Sequence, residues 1–194
     1  MAALRSYHHG DLRRAVLDAA IEVITAEGPG AVSLRDLARR AGVSHAAPAH
    51  HFKDKAGLLT ALAVEGYELL AAAFGEALGA GSARLEELGV RYVRFALDHP
   101  AHFEVMFRPD LHHRDAPELV AAQERTGRVL RDGVAAMPAA RRGDDTGLAT
   151  IAAWSLAHGF ATLWRGDNLR RLVADRAPED LFRNTAGLLF GERG

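Results

Sequence analysis

A short run of small and imidazole side chains, His45, Ala46, Pro48, Ala49 and His50, lies between Ser44 and Phe52, and Lys53, Asp54 and Lys55 follow directly. Small side chains let a backbone approach a surface closely, and imidazole rings offer donors or acceptors to base edges in a major groove. An aspartate that starts a helix exposes free backbone N–H groups, and a cation beside it completes a phosphate site. Lys53 and Lys55, the only lysines in the chain, flank that aspartate.

A second constellation lies further on. Trp154 and His158 are four apart and share one helix face. With Tyr92, Phe95, Phe103, Met106 and Phe107 they have the make-up of a ligand site, mostly apolar with few polar groups. Core packing is the plainer reading of aromatic residues at helical spacing. His158, beside Gly159, has an alternative too, a bond to a backbone carbonyl at a close helix crossing.

The histidines raise a third possibility. His99, His102, His112 and His113 are near neighbours in sequence, and His158 could join them in space. The Glu-x-x-His pair of di-iron bundles is absent, as are His-Glu-x-x-His, a P-loop and Gly-x-Ser-x-Gly. No catalytic residue, cofactor or metal ligand is therefore assigned. A three-histidine site stays as an alternative to solvated loop side chains.

The elements that must position these residues are helices. Leu34, Leu37, Ala38 and Ala41 recur at spacings of three and four, a single apolar face. Ser33 with Asp36 predicts an N-terminal cap, Gly42 a left-handed exit, Val43 a return to the core and Ser44 a second cap. Pro48 falls within the first turn of the next helix, where few intrahelical bonds are lost. Two short helices about a glycine-containing turn make a helix-turn-helix over residues 33–55. A supporting helix over 10–27 is stopped by Gly28-Pro29-Gly30.

Beyond residue 54 the apolar spacing predicts helices over 54–78, 83–98, a short one through 107, then 116–136, 146–165 and 178–190. No period-two strand pattern occurs. The expectation is all-α: nine helices in two domains, a three-helix N-terminal domain over 1–55 and a helical bundle over 56–194. The fourth helix belongs to both. Leu181, Phe182, Leu188 and Leu189 in the last helix are the candidate dimer contact.

The 194 residues are 48% hydrophobic and 25% charged, the composition of a globular protein. With no cysteine there is no disulfide or thiolate metal site, and the cytoplasm is the expected compartment. The N-terminus lacks the apolar core of a signal peptide, and the longest apolar stretch, 151–164, is too short and too polar to span a membrane. Net charge is −1, yet residues 1–55 hold eight Lys/Arg against six Asp/Glu, a net of +2 that leaves −3 for the rest. Arg5 in the N-terminal arm and Arg35 in the first helix of the motif join the candidate DNA contacts.

From His8 to Leu59 the chain resembles the DNA-binding domain of the TetR family of transcriptional regulators. The segments that carry the likeness are Y-H-H-G-D-L-R-R, S-L-R-D-L-A-R-R-A-G-V-S and H-F-K-D-K-A-G-L-L. Ala49 departs from it, because the family usually has an aromatic there that touches a phosphate. The stretch W-S-L-A-H-G-F resembles a Trp-x-x-x-His-Gly signature of one branch of the family's C-terminal domains. R-Y-V-R-F-A-L-D-H-P-A-H-F-E-V-M-F is similar to its earlier helices.

The resemblance implies a homodimeric DNA-binding regulator, a repressor on a palindromic operator, released by a small hydrophobic effector. Operator DNA, a second copy and that effector are the expected partners; no membrane and no enzymatic activity are expected. The rival expectation is an all-helical enzyme or small-molecule carrier whose first helices are structural.

Overall fold

The computed structural model describes residues 9–79, 85–139, 143–169, 172–173 and 176–190. Among them are nine α-helices, one 3-10 turn and no strand. In chain order they are α1 (His9–Glu27), the 3-10 turn (Pro29–Ala31), α2 (Leu34–Arg40), α3 (Ala47–Phe52), α4 (Lys55–Gly79) and α5 (Leu85–Asp98). After them come α6 (Pro100–Met106), α7 (Pro117–Ala135), α8 (Thr146–Arg165) and α9 (Pro178–Phe190).

The chain divides into two compact units, one running to Gly66 and including Pro100–Val120, the other made of Tyr67–His99 and the chain from Ala121 on. The division falls inside α4 and again inside α7. Residues of α6 therefore cluster with the first helices although they follow α5 in sequence.

In the first unit α1 packs on α2, α3 and α6, and α6 also meets the 3-10 turn. The spacing of α1 puts Val16, Leu17, Ala20, Val23 and Ile24 inside. They bury with Leu37 and Ala38 of α2, Phe52 of α3 and Leu58, Leu59 and Leu62 of α4. A β-carbon on Gly66 would run into the Met106 side chain, so glycine in α4 lets α6 lie close.

In the second unit α5 packs on both α8 and α9. Ala149, Ala153, Ala157 and Ala161 repeat every four residues on the buried face of α8, and this ridge of small side chains allows a near approach. Phe182 of α9 fills the gap over Gly89 and meets Phe160 edge-on at 5.4 Å. Burying a side chain of that size stabilises by about 1.5–3 kcal/mol.

Several local expectations are corrected. Ser33 is the N-cap of α2, but its side chain makes no capping hydrogen bond. Ser44 does not cap α3, which starts at Ala47 after a turn in which the Ser44 carbonyl accepts the Ala47 N–H at 3.0 Å. Val43 is only half-buried. Among the described helices the one long and apolar enough to cross a membrane is α4, over Lys55–Ala77 with mean hydropathy 1.4, not the stretch 151–164. Its Leu58, Leu59, Leu62 and Ala63 are fully buried, as in a core helix.

Candidate nucleic-acid interface and effector site

The turn between α2 and α3 closes as a paired C-cap. Gly42, at φ 67°, donates to the Arg39 carbonyl at 3.3 Å, and Val43 donates to the Ala38 carbonyl at 2.9 Å. This is the double bond pattern a left-handed glycine makes possible. Beyond it α3 is short and two-sided. Pro48 and Phe52 are buried, while His45, Ala46, Ala49, His50 and Lys53 are exposed with Ser44. Pro48 anchors the helix to the core, and the outward face carries only small and imidazole side chains. Arg35 is also exposed, on α2; Arg5 lies outside the described residues.

The far end of α3 is held by a strained junction. Lys53 has φ 67° and ψ −60°, and across it the Asp54 N–H donates to the Phe52 carbonyl at 2.8 Å. That is a γ-turn of the hand that is rare for a side-chain-bearing residue. Asp54 then caps α4, its Oδ1 accepting the Gly57 N–H at 2.7 Å. This bond, more than the 3.2 Å contact from His113 Nε2, holds the Asp54 carboxyl below its ordinary range. Lys55 is half-buried, and its Nζ donates to the Gly30 carbonyl at 2.9 Å, tying α4 to the 3-10 turn. An ammonium has two further donors, so this bond leaves capacity for a phosphate.

Sequence reasoning missed three contacts in this unit. The Arg13 guanidinium, on α1, lies 5.6 Å from the centre of the Phe52 ring. Arg14 reaches both oxygens of Glu65 on α4, at 2.9 and 2.8 Å, and Glu65 Oε1 also meets His102 Nε2 of α6 at 3.2 Å. His102 and Arg14 together pull the Glu65 carboxyl down to about 2. Only spatial neighbours 51 and 37 residues away reveal this cluster.

The proposed effector residues divide between the units. Phe103, Met106 and Phe107 belong to the first, where Phe103 and Phe107 stack edge-on at 5.3 Å. Tyr92, Phe95, Trp154 and His158 belong to the second. There Tyr92 Oη and His158 Nδ1 are 2.8 Å apart, and the Trp154 indole N–H bonds the same hydroxyl. Burial pushes the Tyr92 phenol up and the His158 imidazole down, so both are neutral near pH 7. The consistent pattern is indole N–H to phenol oxygen, and phenol O–H to an unprotonated Nδ1. The Nδ1 atom of His158 thus faces a phenol, and a β-carbon on Gly159 would meet nothing within 4 Å, so Gly159 is not the site of a close helix crossing.

Trp154 is 45% exposed and shares the outer face of α8 with Ile151, 60% exposed, and Leu148. Of the expected dimer residues, Leu188 is 87% exposed, Leu181 is half-buried and Phe182 is core at 2%; the Leu189 side chain lies outside the described residues. Phe182 is therefore a packing residue of its own subunit. The apolar outer face of α8 was readable in the sequence as a helix apolar on two sides.

Two histidines expected as solvated loop side chains, His102 and His112, are buried. Among the described residues no group of three or more His, Asp or Glu is arranged to hold a metal ion.

A helix-turn-helix on a supporting helix, with small and imidazole side chains outward and a capped helix start beside it, defines a DNA-reading unit. Residues 16–62 match the bacterial regulatory proteins of the tetR family, and residues 85–189 match the tetracyclin repressor-like C-terminal domain. The chain belongs to the TetR family, and as such is a DNA-binding transcriptional regulator rather than an enzyme.

Among solved structures it is similar to a protein of unknown function from Rhodococcus sp. RHA1, at 34% identity and TM-score 0.79 over 97% of each chain. It shares its fold with the TetR family transcriptional regulator PfmR from Thermus thermophilus, at 24% identity and TM-score 0.70 over 92% of this chain and 99% of that one. LfrR from Mycobacterium smegmatis, solved in complex with proflavine, has TM-score 0.60 at 24% identity over 95% and 98%. No curated protein matches the chain.

Proposed function

We propose that this regulator is a cytoplasmic homodimeric repressor that binds a palindromic operator and is released by a small hydrophobic effector. The observation that carries the reading is the outward face of α3. Its exposed Ala49 and His50, with His45 and Ala46 exposed in the turn before it, leave a base edge accessible, while Pro48 and Phe52 fix the helix from behind. Two such helices related by a two-fold axis meet successive major grooves about 34 Å apart. Ser44, Arg35, Lys53, Lys55 and the N-terminal Arg5 supply phosphate contacts.

The DNA role belongs to residues 1–55 and the effector and dimer roles to residues 56–194. That functional division differs from the compact units, since residues 56–66 and 100–120 cluster with the first helices. For the dimer, Leu188 of α9 and the exposed apolar face of α8 support contact with a second copy, with Leu181 at its margin. For the effector, the chain of bonds through Tyr92, His158 and Trp154 is a neutral polar handle among apolar side chains such as Phe95. LfrR, of similar fold, is solved in complex with proflavine, which favours a planar aromatic ring system.

The test is a mobility-shift assay with the DNA flanking the protein's own gene, beside sedimentation of the free protein. Specific retardation at a rough palindrome by a dimer is expected. A monomer, or retardation indifferent to sequence, would sink the proposal.

A further inference from the structure

His112 is the one buried side chain in the segment 108–116 that joins α6 to α7, at 7% exposure, and neither ring nitrogen has a hydrogen-bond partner. Buried polar atoms are rarely left so, because each forfeits its bonds to water. The residue after it fastens the segment to α4. The His113 N–H donates to Thr60 Oγ1 at 2.9 Å, and His113 Nε2 lies 3.2 Å from Asp54 Oδ1. Thr60 is itself buried and donates to the Ala56 carbonyl at 2.8 Å. Asp54 Oδ1 is the atom that caps α4 directly after the γ-turn of the reading helix.

We propose that the segment joining α6 to α7 is a proton-sensitive strap on the DNA-reading unit, closed over α4 while His112 is neutral and opened when His112 takes up a proton. A neutral imidazole tolerates this site at the loss of two hydrogen bonds. An imidazolium has two N–H donors and a charge, and in the closed strap neither ring nitrogen has a hydrogen-bond partner to accept from it.

The charged and titratable groups that bear on His112 are few. Burial holds its affinity for protons down, and the neighbouring His113 acts in the same direction. The Met106 carbonyl of α6 and the Asp110 carboxylate act against them. The carbonyl is near but not in hydrogen-bonding geometry, and Asp110 is exposed and already held by Arg108 at 3.0 and 2.9 Å. From α4, Asp54 is engaged by Gly57 and His113. The pair of His113 with Asp54 adds little to the balance, because both side chains are more than half exposed and water screens it.

The sign follows from linkage. The closed strap binds its His112 proton less readily than the open one. Closure is therefore fully favoured above the ordinary histidine value, about 6.5, and is lost as pH falls through the lower closed-state value. Opening withdraws His113 from Asp54 and leaves the α4 cap, and the γ-turn before it, less supported.

Hydrogen exchange of the His113 amide reads the strap without DNA, so it stands apart from the operator reading on which the functional consequence rests. After correction for intrinsic rates, protection should fall by up to roughly tenfold per pH unit on acidification below about 6.5. His112→Leu should keep protection at every pH, whereas His113→Ala should retain the acid opening. Protection independent of pH, or acid opening unchanged in His112→Leu, would overturn the strap. Should His112→Leu not fold, ring titration of the native chain by NMR decides. A His112 that protonates at or above about 6.5 rejects the proposal, and one still neutral at pH 6 supports it.

Discussion

The α-carbon of Gly57 lies against the carbonyl of Phe52, so closely that a β-carbon there would overlap the oxygen. That carbonyl accepts the Asp54 N–H across Lys53, and Asp54 in turn accepts the Gly57 N–H. The last residue of the reading helix and the first turn of α4 are thus one closed unit.

Gly57→Ala forces that carbonyl aside, and urea unfolding should register a loss of about 1–3 kcal/mol. Operator affinity should fall with it, because α3 is displaced at its C-terminal end. Gly75→Ala is the control. It lies exposed in the same helix with nothing within 4 Å of an added methyl, and should be neutral or stabilising by up to about 1 kcal/mol. Equal behaviour of the two variants would rule out the closed junction.

Lys53 and Lys55 separate strain from charge. Lys53→Gly relieves the positive φ and should be about 1–2 kcal/mol more stable than Lys53→Ala, while both weaken DNA binding by losing an exposed cation. Lys55→Ala should weaken binding to every sequence alike, since a phosphate contact reads no base. With roughly two to four cationic contacts per subunit, the dimer's log–log salt slope should be about −4 to −7. A flat salt response would remove the phosphate contacts altogether.

Glu65 sets an acid limb of stability. Its folded carboxyl titrates at about 2 against an ordinary 4.5, lowered chiefly by His102 and then by Arg14. The stabilisation is therefore complete above about pH 5 and lost as pH falls from 4.5 through about 2. Partial exposure of Glu65 and Arg14 discounts its size, leaving about 1 kcal/mol at neutral pH. Glu65→Gln should flatten this limb in urea titrations at successive pH values; an unchanged limb would assign the acid sensitivity to other carboxylates.

Tyr92→Phe leaves His158 Nδ1 and the Trp154 N–H without their shared partner, at a cost of about 1–3 kcal/mol. In a Trp164→Phe background an apolar effector should quench or shift Trp154 emission and weaken operator binding by the factor that DNA weakens effector binding. His158→Ala should blunt that response while ligand-free operator binding stays nearly unchanged. Loss of the dimer together with a melting temperature lowered by several degrees would make His158 a packing residue instead.

Local order was legible in the chain because it is set locally. The three-and-four spacing in α1 and α2, the left-handed need at Gly42, the early Pro48 and the cap at Asp54 are all properties of a few adjacent residues, and each appears in the structure. What only the tertiary structure decided is which side of each apolar helix meets which neighbour. Spacing names a face and not its partner, so Phe182 read as a dimer contact although Gly89 opens the space that buries it. Arg14, Glu65 and His102 came together because α1, α4 and α6 pack in one unit. His112 likewise lies in a polar loop, a pattern that predicts exposure. It is buried because the loop is pulled onto α4 by the backbone of His113, a contact 53 residues away that no local pattern contains.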